Sequence, residues 1–346
     1  MAAARLTPGC ERTSRRHDTY VSEHETLAEL VDSVLANPGL RAKADIAVVG
    51  EVLGDTDWVA GPGDDGAVLP LAPTVGSGAG VVVCGEAIFP PFVKADPRGA
   101  GFAAVLANVN DIAAMGAEPM GIVDTIATTP EAAQLALAGM RTAAGLLDVP
   151  IVGGHLTAHD GEPSISAFAV GSVTDPELAL SVTRAEAGQS LVVAAATTGT
   201  LNPNFPFFRA FEDRGERCAG DVRLMPRLAR EGVVVAAKDI SMAGLVGSLA
   251  MLLEARGLGV TVDVDAVPAP EGIPLTKWFN CFPSYGFLLC VPAGREAECL
   301  AAFAERDLQA AVVGTLDDSG ELALSRGDER ELVLRLDEFL VTGLPR

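Results

Sequence analysis

Between residues 66 and 174 short β-rich runs alternate with longer helical ones, and no other feature of the chain narrows its possible folds as much. Gly66 to Leu69 and Gly80 to Cys84 have strand composition. Pro97 then opens a helix through Phe102, Val105, Leu106, Val109 and Ile112 that ends near Gly116. Residues 121–129 read as a strand, Glu131 to Leu147 as a helix, and 150–154 and 164–173 as strands. The pattern restarts with a strand at Ser190, followed by helices at Leu224 to Glu231 and from Met242 to Ala255. Strands follow at Gly259 to Val264, Gly286 to Val291 and Ala310 to Thr315, with a strand-rich closing segment. Such alternation predicts an α/β (mixed α+β) layer structure. The expected organisation is a mobile arm over 1–21, an N-terminal domain over 22–180 and a C-terminal domain over 181–346. Ser22 and Glu25 have the spacing of a capping box for a first helix, which Asn37-Pro38-Gly39 stops, and a second helix candidate runs from Ile46 to Gly54.

A chain of 346 residues, 49% of them hydrophobic, has material for two cores. Against 46 acidic residues stand 25 basic ones, only four of them lysines, for a net charge of −21. That surface repels nucleic-acid backbones and anionic lipid, so neither is expected as a partner. Apolar runs such as Gly80 to Cys84 and Gly232 to Ala237 fall far short of the ~20 residues of a membrane span. The first twenty residues lack the apolar stretch of a secretory signal. Six cysteines without a CxxC or a framework spacing suit a reduced, cytoplasmic setting.

Five islands carry candidate chemistry. In GPGDDGAV, residues 61–68, three glycines have GxGxxG spacing, but Gly66 leads into a strand with two prolines instead of the helix that a dinucleotide fold needs. What remains is a polar turn or a carboxylate pair, Asp64 and Asp65, placed by Gly63. Asn110 and Asp111 lie inside an apolar, small-residue helix, where an unpartnered carboxylate is costly. Either a cation meets Asp111, or it is a solvated charge at the helix end. Glu86 follows an apolar strand, at the kind of strand end where ligands collect. Gly153 and Gly154 allow a close backbone approach beside His155. His155 and His159 do not read as a zinc pair, since that spacing wants a helix. Lys238-Asp239 ends a strand, and Ser241 to Gly244 start a helix, which suits a phosphate with its metal; the alternative is that Asp239 or Ser241 caps the helix.

In order, GDDGAVL (63–69), VNDIAAMGAEP (109–119), VGGH (152–155) and KDISMAGL (238–245) resemble the signature islands of the aminoimidazole ribonucleotide (AIR) synthetase superfamily. The resemblance spans roughly residues 25–295 and is most specific over 109–119. It implies an N-terminal α/β domain that dimerises through its sheet, a C-terminal α/β domain, and Mg-ATP in the cleft between them. The implied activity is transfer of the ATP γ-phosphoryl group, onto an amide or carbonyl oxygen or onto another small metabolite. Asp64, Asp65, Glu86 and Asp111 stand at implied metal positions. Asp65, Asp111 and Asp239 stand at implied catalytic ones. Gly63, Asp64, Asn110, Gly153, Gly154, His155 and Ser241 stand at implied nucleotide-binding ones. Kinase relatives have an acid where His155 stands and an Asp-Gly where Met242-Ala243 stand. Selenophosphate synthetase has a catalytic thiol and lysine with no counterpart here. These departures count against thiamine-monophosphate kinase and selenophosphate synthetase activities and leave a degenerate nucleotide-binding scaffold as the alternative. Lys94, Arg98, Asn202 and Asn204 are candidates for the acceptor pocket.

Overall fold

A computed structural model of the chain describes residues 25–53, 60, 63–71, 78–203 and 205–344. The arm over 1–21, most of the Ser22–Glu25 box and Asn204 lie outside these residues. The first sheet contains β1 (Ala67–Pro70), β2 (Gly80–Ala87), β3 (Glu118–Thr128), β4 (Ile151–Ala158) and β5 (Ser164–Val173), in the order β1-β2-β5-β3-β4. Only β3 and β4 pair in parallel; the other neighbours are antiparallel.

Two helices, Pro97–Ala114 and Pro130–Leu147, pack on this sheet and on each other. Each starts with proline behind a side-chain cap, Asp96 accepting from the Gly99 N–H and Thr129 from that of Ala132. They touch backbone to backbone: a β-carbon on Gly101 would overlap the carbonyl of Ala136, and one on Gly139 that of Arg98. Residues Gly101 to Leu106 and Asn108 to Ala114 of the first helix are all buried. A helix apolar on all sides is a core helix, and its last turn carries Asp111 into the interior.

The chain continues with β6 (Ser190–Ala195), the short strands β7 (Thr200–Leu201) and β8 (Phe207–Arg209), β9 (Ala236–Asp239), β10 (Gly259–Asp263), β11 (Phe282–Pro283), β12 (Gly286–Val291), β13 (Gln309–Asp317), β14 (Glu321–Arg326) and β15 (Glu329–Arg335). Seven of these make a second sheet, β15-β14-β10-β13-β6-β12-β9, and β11-β8-β7 make a small third one. β9 is thus an edge strand, and the helix Pro97–Ala114 also touches it.

Three details depart from the sequence expectations. The first helix, Leu27–Leu35, is capped by Thr26 and Glu29, which exchange hydrogen bonds of 3.2 and 2.8 Å. Glu25 instead accepts from the Thr276 amide. That helix packs on β14, β15 and the helix Gly244–Glu254, so this part of 22–180 adheres to the second half of the molecule. The second-half helix begins at Gly244 with Ala243 as its cap residue, so neither Asp239 nor Ser241 caps it. A helix at Glu296–Ala304 has no counterpart in the sequence reading.

Candidate functional site

Asp64 and Asp65 are adjacent in the chain and face different partners. Asp64 lies outside the acidic cluster, its Oδ1 accepting from the Val182 N–H at 2.6 Å and its Oδ2 from the Ser181 hydroxyl at 2.8 Å. Burial pushes its carboxyl up to about 6, against those two hydrogen bonds. Asp65 turns to the end of β9, where its Oδ1 takes an ion pair from Lys238 Nζ and its Oδ2 accepts from the Asp239 N–H at 3.0 Å. The last turn of the helix Pro97–Ala114 supplies Asp111, and Asp65, Asp111 and Asp239 each bring one carboxylate oxygen within 4.8 Å of the others. Three remote stretches of chain therefore converge on one spot.

The electrostatics describe a surplus of negative charge. Burial, followed by repulsion from Asp239, Glu86 and Asp65, holds the Asp111 carboxyl well above the usual carboxylate range. Burial and then Asp65 push Asp239 up to about 7, with Lys238 opposing. Glu86, although exposed at the end of β2, is raised by desolvation from the groups packed around its carboxyl, with Lys43 and Lys238 acting against the rise. Burial works against the Lys238 charge, yet Asp65 and Asp239 outweigh it and hold the ammonium above its ordinary value. Each pair of like charges at this separation costs roughly 3 kcal/mol at an effective dielectric of about 20. Once all three carboxyls are ionised, facing one ammonium, they would leave two negative charges, which one divalent cation would neutralise; without it the strain is relieved by protonation of Asp111 and Asp239. The donor set is oxygen only, which suits a hard ion such as Mg²⁺ over the soft metals that thiolates select.

Beside the acids runs a cleft of about 140 Å³. Glu86, Asp111 and Asp239 line it, with Lys43 and Ser241. Lys43 reaches it because the helix Pro38–Ala42 sits directly on the loop after β9. A β-carbon on Gly39 would overlap the carbonyl oxygen of Met242, and Asn37 donates to the carbonyl of Ala243 at 3.2 Å. Asn110 donates to the Ser284 carbonyl at 3.3 Å, while its buried Oδ1 has no hydrogen-bond partner. Ser241 donates its N–H to the Ser248 hydroxyl. Gly63 turns the chain at φ +106°, two residues before Asp65.

Gly153, Gly154 and His155 are elsewhere. They lie on β4, at the sheet edge far from β1, and are exposed. Across the sheet, Glu86 pairs with Ala167, Ala167 with Asp124, and Asp124 with Gly154. Three strand spacings make about 14 Å, so a single chain does not bring these residues to the carboxylates. The cleft is lined by none of Lys94, Arg98 and Asn202: Lys94 pairs with Glu162 at the surface, and Asn202 lines a separate shallow groove with Lys277 and Asn280. Sequence reasoning overlooked Lys43 and Lys238 as site residues. Two of only four lysines in so acidic a chain were the available signal.

The same two-domain plan is found in known proteins. The model of the AIR synthase related protein N-terminal domain matches residues 63–173, and that of the C-terminal domain matches 212–326. The chain belongs to the AIR synthase related family. Within it, the uncharacterized protein sll0787 of Synechocystis sp. is 31% identical over 325 residues, 92% of this chain and 98% of that protein. T. maritima PurL complexed with AMPPCP superposes with a TM-score of 0.73 at 16% identity, covering 92% of this chain and 51% of that one. AaThiL complexed with AMPPCP and TMP gives a TM-score of 0.61 at 17% identity, covering 82% and 93%. This chain thus spans about half the length of the PurL chain, and at these identities the solved structures share its fold.

Proposed function

We propose that this protein is a Mg-ATP-dependent phosphoryl-transfer enzyme, activating an amide or carbonyl oxygen or phosphorylating a small metabolite. The observation that carries the reading is the meeting of Asp65, Asp111 and Asp239 within 4.8 Å, with Asp111 and Asp239 lining a cleft, an all-oxygen set that would carry two surplus negative charges once fully ionised. Binding of AMPPCP by PurL and ThiL, which share the fold, supports a nucleotide there. Asp65, Asp111 and Asp239 would hold the metal, with Glu86 at its margin. Bound Mg²⁺ would supply charge neutralisation at the transferring phosphoryl group.

The chain's own groups do the positioning. Lys238 and the Asp239 N–H fix both oxygens of Asp65. Asp111 is held on a helix whose residues around it, Asn108 to Ala114, are all buried in the core, and Lys43 places a positive charge at the cleft. In the transfer, an acceptor oxygen bonds to the γ-phosphorus as the bond to the β–γ bridging oxygen breaks, and ADP leaves. A hydroxyl acceptor also gives up its proton; a carbonyl oxygen has none to give. The experiment is calorimetric titration of ATP with and without Mg²⁺, followed by assay for ADP with candidate acceptors. Absence of metal-dependent binding would refute the reading, and binding without any turnover would favour a degenerate scaffold, to which His155 and Met242 point.

The same reading includes a homodimer in the cytoplasm. β4 is an exposed edge strand whose Val152 and Leu156 are 68% and 51% exposed, and Val123 and Phe168, paired across β3 and β5, also face solvent. An unpaired apolar edge of this kind invites a second copy. Light scattering should give twice the chain mass, and a monomer at micromolar concentration would count against the proposal. Among the described residues no helix is long and apolar enough to cross a membrane, and the five cysteines are free. Neither nucleic acid nor a membrane is proposed as a partner.

A further inference from the structure

The cleft has two unlike walls. One is the carboxylate wall, and the other is aromatic: Phe89, Phe92, Phe205, Phe207 and Phe282 all line it. These are five of the chain's 13 phenylalanines. They come from separate elements, yet their rings are ordered. Phe92, from the helix Pro90–Ala95, stacks on Phe205 at 4.6 Å with planes 9° apart, joining the two halves of the molecule. Phe207 of β8 and Phe282 of β11 stack at 5.1 Å, fixed by the pairing of those strands. Phe89 is 60% exposed, a large apolar side chain held open at the rim.

The cationic side of the cleft is correspondingly poor. Lys43 is the single basic residue among its lining residues, against Glu86, Asp111 and Asp239, and no arginine is among them. A phosphate group on the acceptor would add about two negative charges to a site already in surplus, without the arginine forks that normally receive one. Flat apolar rings, in contrast, gain both burial and edge or face contacts against stacked phenylalanines, and a cationic ring also gains from their faces and from the acids.

From this we infer that the acceptor is a neutral or cationic compound built on an aromatic or similarly flat apolar ring, unphosphorylated, with one oxygen function reaching the carboxylate wall. The inference rests on the phosphoryl-transfer reading for the word acceptor; the binding preference itself stands on the cleft alone. The competing occupant of the aromatic wall is the adenine of the nucleotide.

The test uses benzylamine, benzyl alcohol and benzyl phosphate as probes, titrated by ligand-observed NMR into the full chain with and without saturating Mg-ADP. Benzylamine and benzyl alcohol should bind in both conditions, with benzyl phosphate at least about tenfold weaker. Phe89→Ala, at an exposed position, should weaken the neutral probe by about fivefold while the melting temperature stays close to the parent, and Phe205→Leu, which removes the stacked ring but keeps most of its apolar volume, should weaken it by a similar factor. Equal or tighter binding of benzyl phosphate, no binding of any probe, or indifference to both substitutions would overturn the inference. Displacement of the neutral probe by Mg-ADP would overturn it too, by assigning the wall to adenine. If Mg-ATP itself fails to bind in calorimetry while the probes behave as expected, the reaction falls and the ligand preference stands.

Discussion

Lys238 and Asp65 form an ion pair whose side chains are 7% and 4% exposed, tying the end of an edge strand of one sheet to the turn that enters the other. Its geometry has a thermodynamic consequence. Removing one partner of a buried pair leaves the other charge desolvated, at a cost of about 3–5 kcal/mol. Here the cost should depend on the metal, because a divalent cation can take over from the ammonium. Lys238→Met should therefore lower stability by about that amount in chelator, and by clearly less in millimolar Mg²⁺. Urea unfolding in the two conditions measures both deficits, and equal deficits would mean that no cation reaches Asp65.

Asp111→Asn separates charge from shape. The amide keeps the volume of the carboxylate, and the helix around it is packed on all sides, so the fold should persist. In chelator the variant should be at least as stable as the parent, most clearly at alkaline pH, since its amide cannot ionise beside Asp239, Glu86 and Asp65. Mg-ATP affinity should fall by about tenfold or more, roughly 1.4 kcal/mol. Calorimetry reads the affinity and a melting curve the stability. Unchanged affinity would place the metal elsewhere.

The pH dependence has a definite sign. The Asp239 carboxyl is raised from 3.8 to about 7 in the folded chain, so between those values the native state binds more protons than the unfolded one. Stability is then fully present below the lower value and is lost as pH rises through the upper one. In chelator, melting temperature should fall from about pH 5 to about pH 8, and Mg²⁺ should restore more of it at the alkaline end, because metal binds the ionised carboxylates. A melting temperature that rises over this range without metal would contradict the assignment.

The sequence made the layer structure legible because the two halves obey local rules: Pro97 and Pro130 open helices at N1, and β5 and β12 have strand composition throughout. It made Asp111 legible because a carboxylate in an apolar helix is conspicuous by itself. It did not separate Asp64 from Asp65, because the difference lies in partners 117 and 173 residues away, Ser181 and Lys238. The aromatic wall was hidden for the same reason, being assembled from three separate stretches, at 89–92, 205–207 and 282, whose phenylalanines each look like ordinary core. The helix Glu296–Ala304 was missed because only Cys299, Ala302 and Phe303 of it are buried, too thin an apolar stripe to announce a period.

Lys43 owes its place at the cleft to the helix that precedes it. That helix, Pro38–Ala42, lies so close to the loop following Asp239 that a β-carbon at Gly39 would collide with the Met242 carbonyl oxygen. Backbone cannot yield as a flexible side chain can, so Gly39→Ala must lift the helix away, weakening the Asn37 bonds to Ala243 and Asn280. Forced repacking of this kind costs about 1–3 kcal/mol. Lys43 would move with the helix, and the cleft would lose the one basic group among its lining residues. Gly39→Ala should therefore reduce both stability and Mg-ATP affinity, whereas Lys43→Met should reduce affinity with little change in stability. Parallel melting and calorimetric measurements on the two variants distinguish these outcomes. Full nucleotide affinity in Lys43→Met would show that the helix serves packing alone and that this lysine takes no part in binding phosphate.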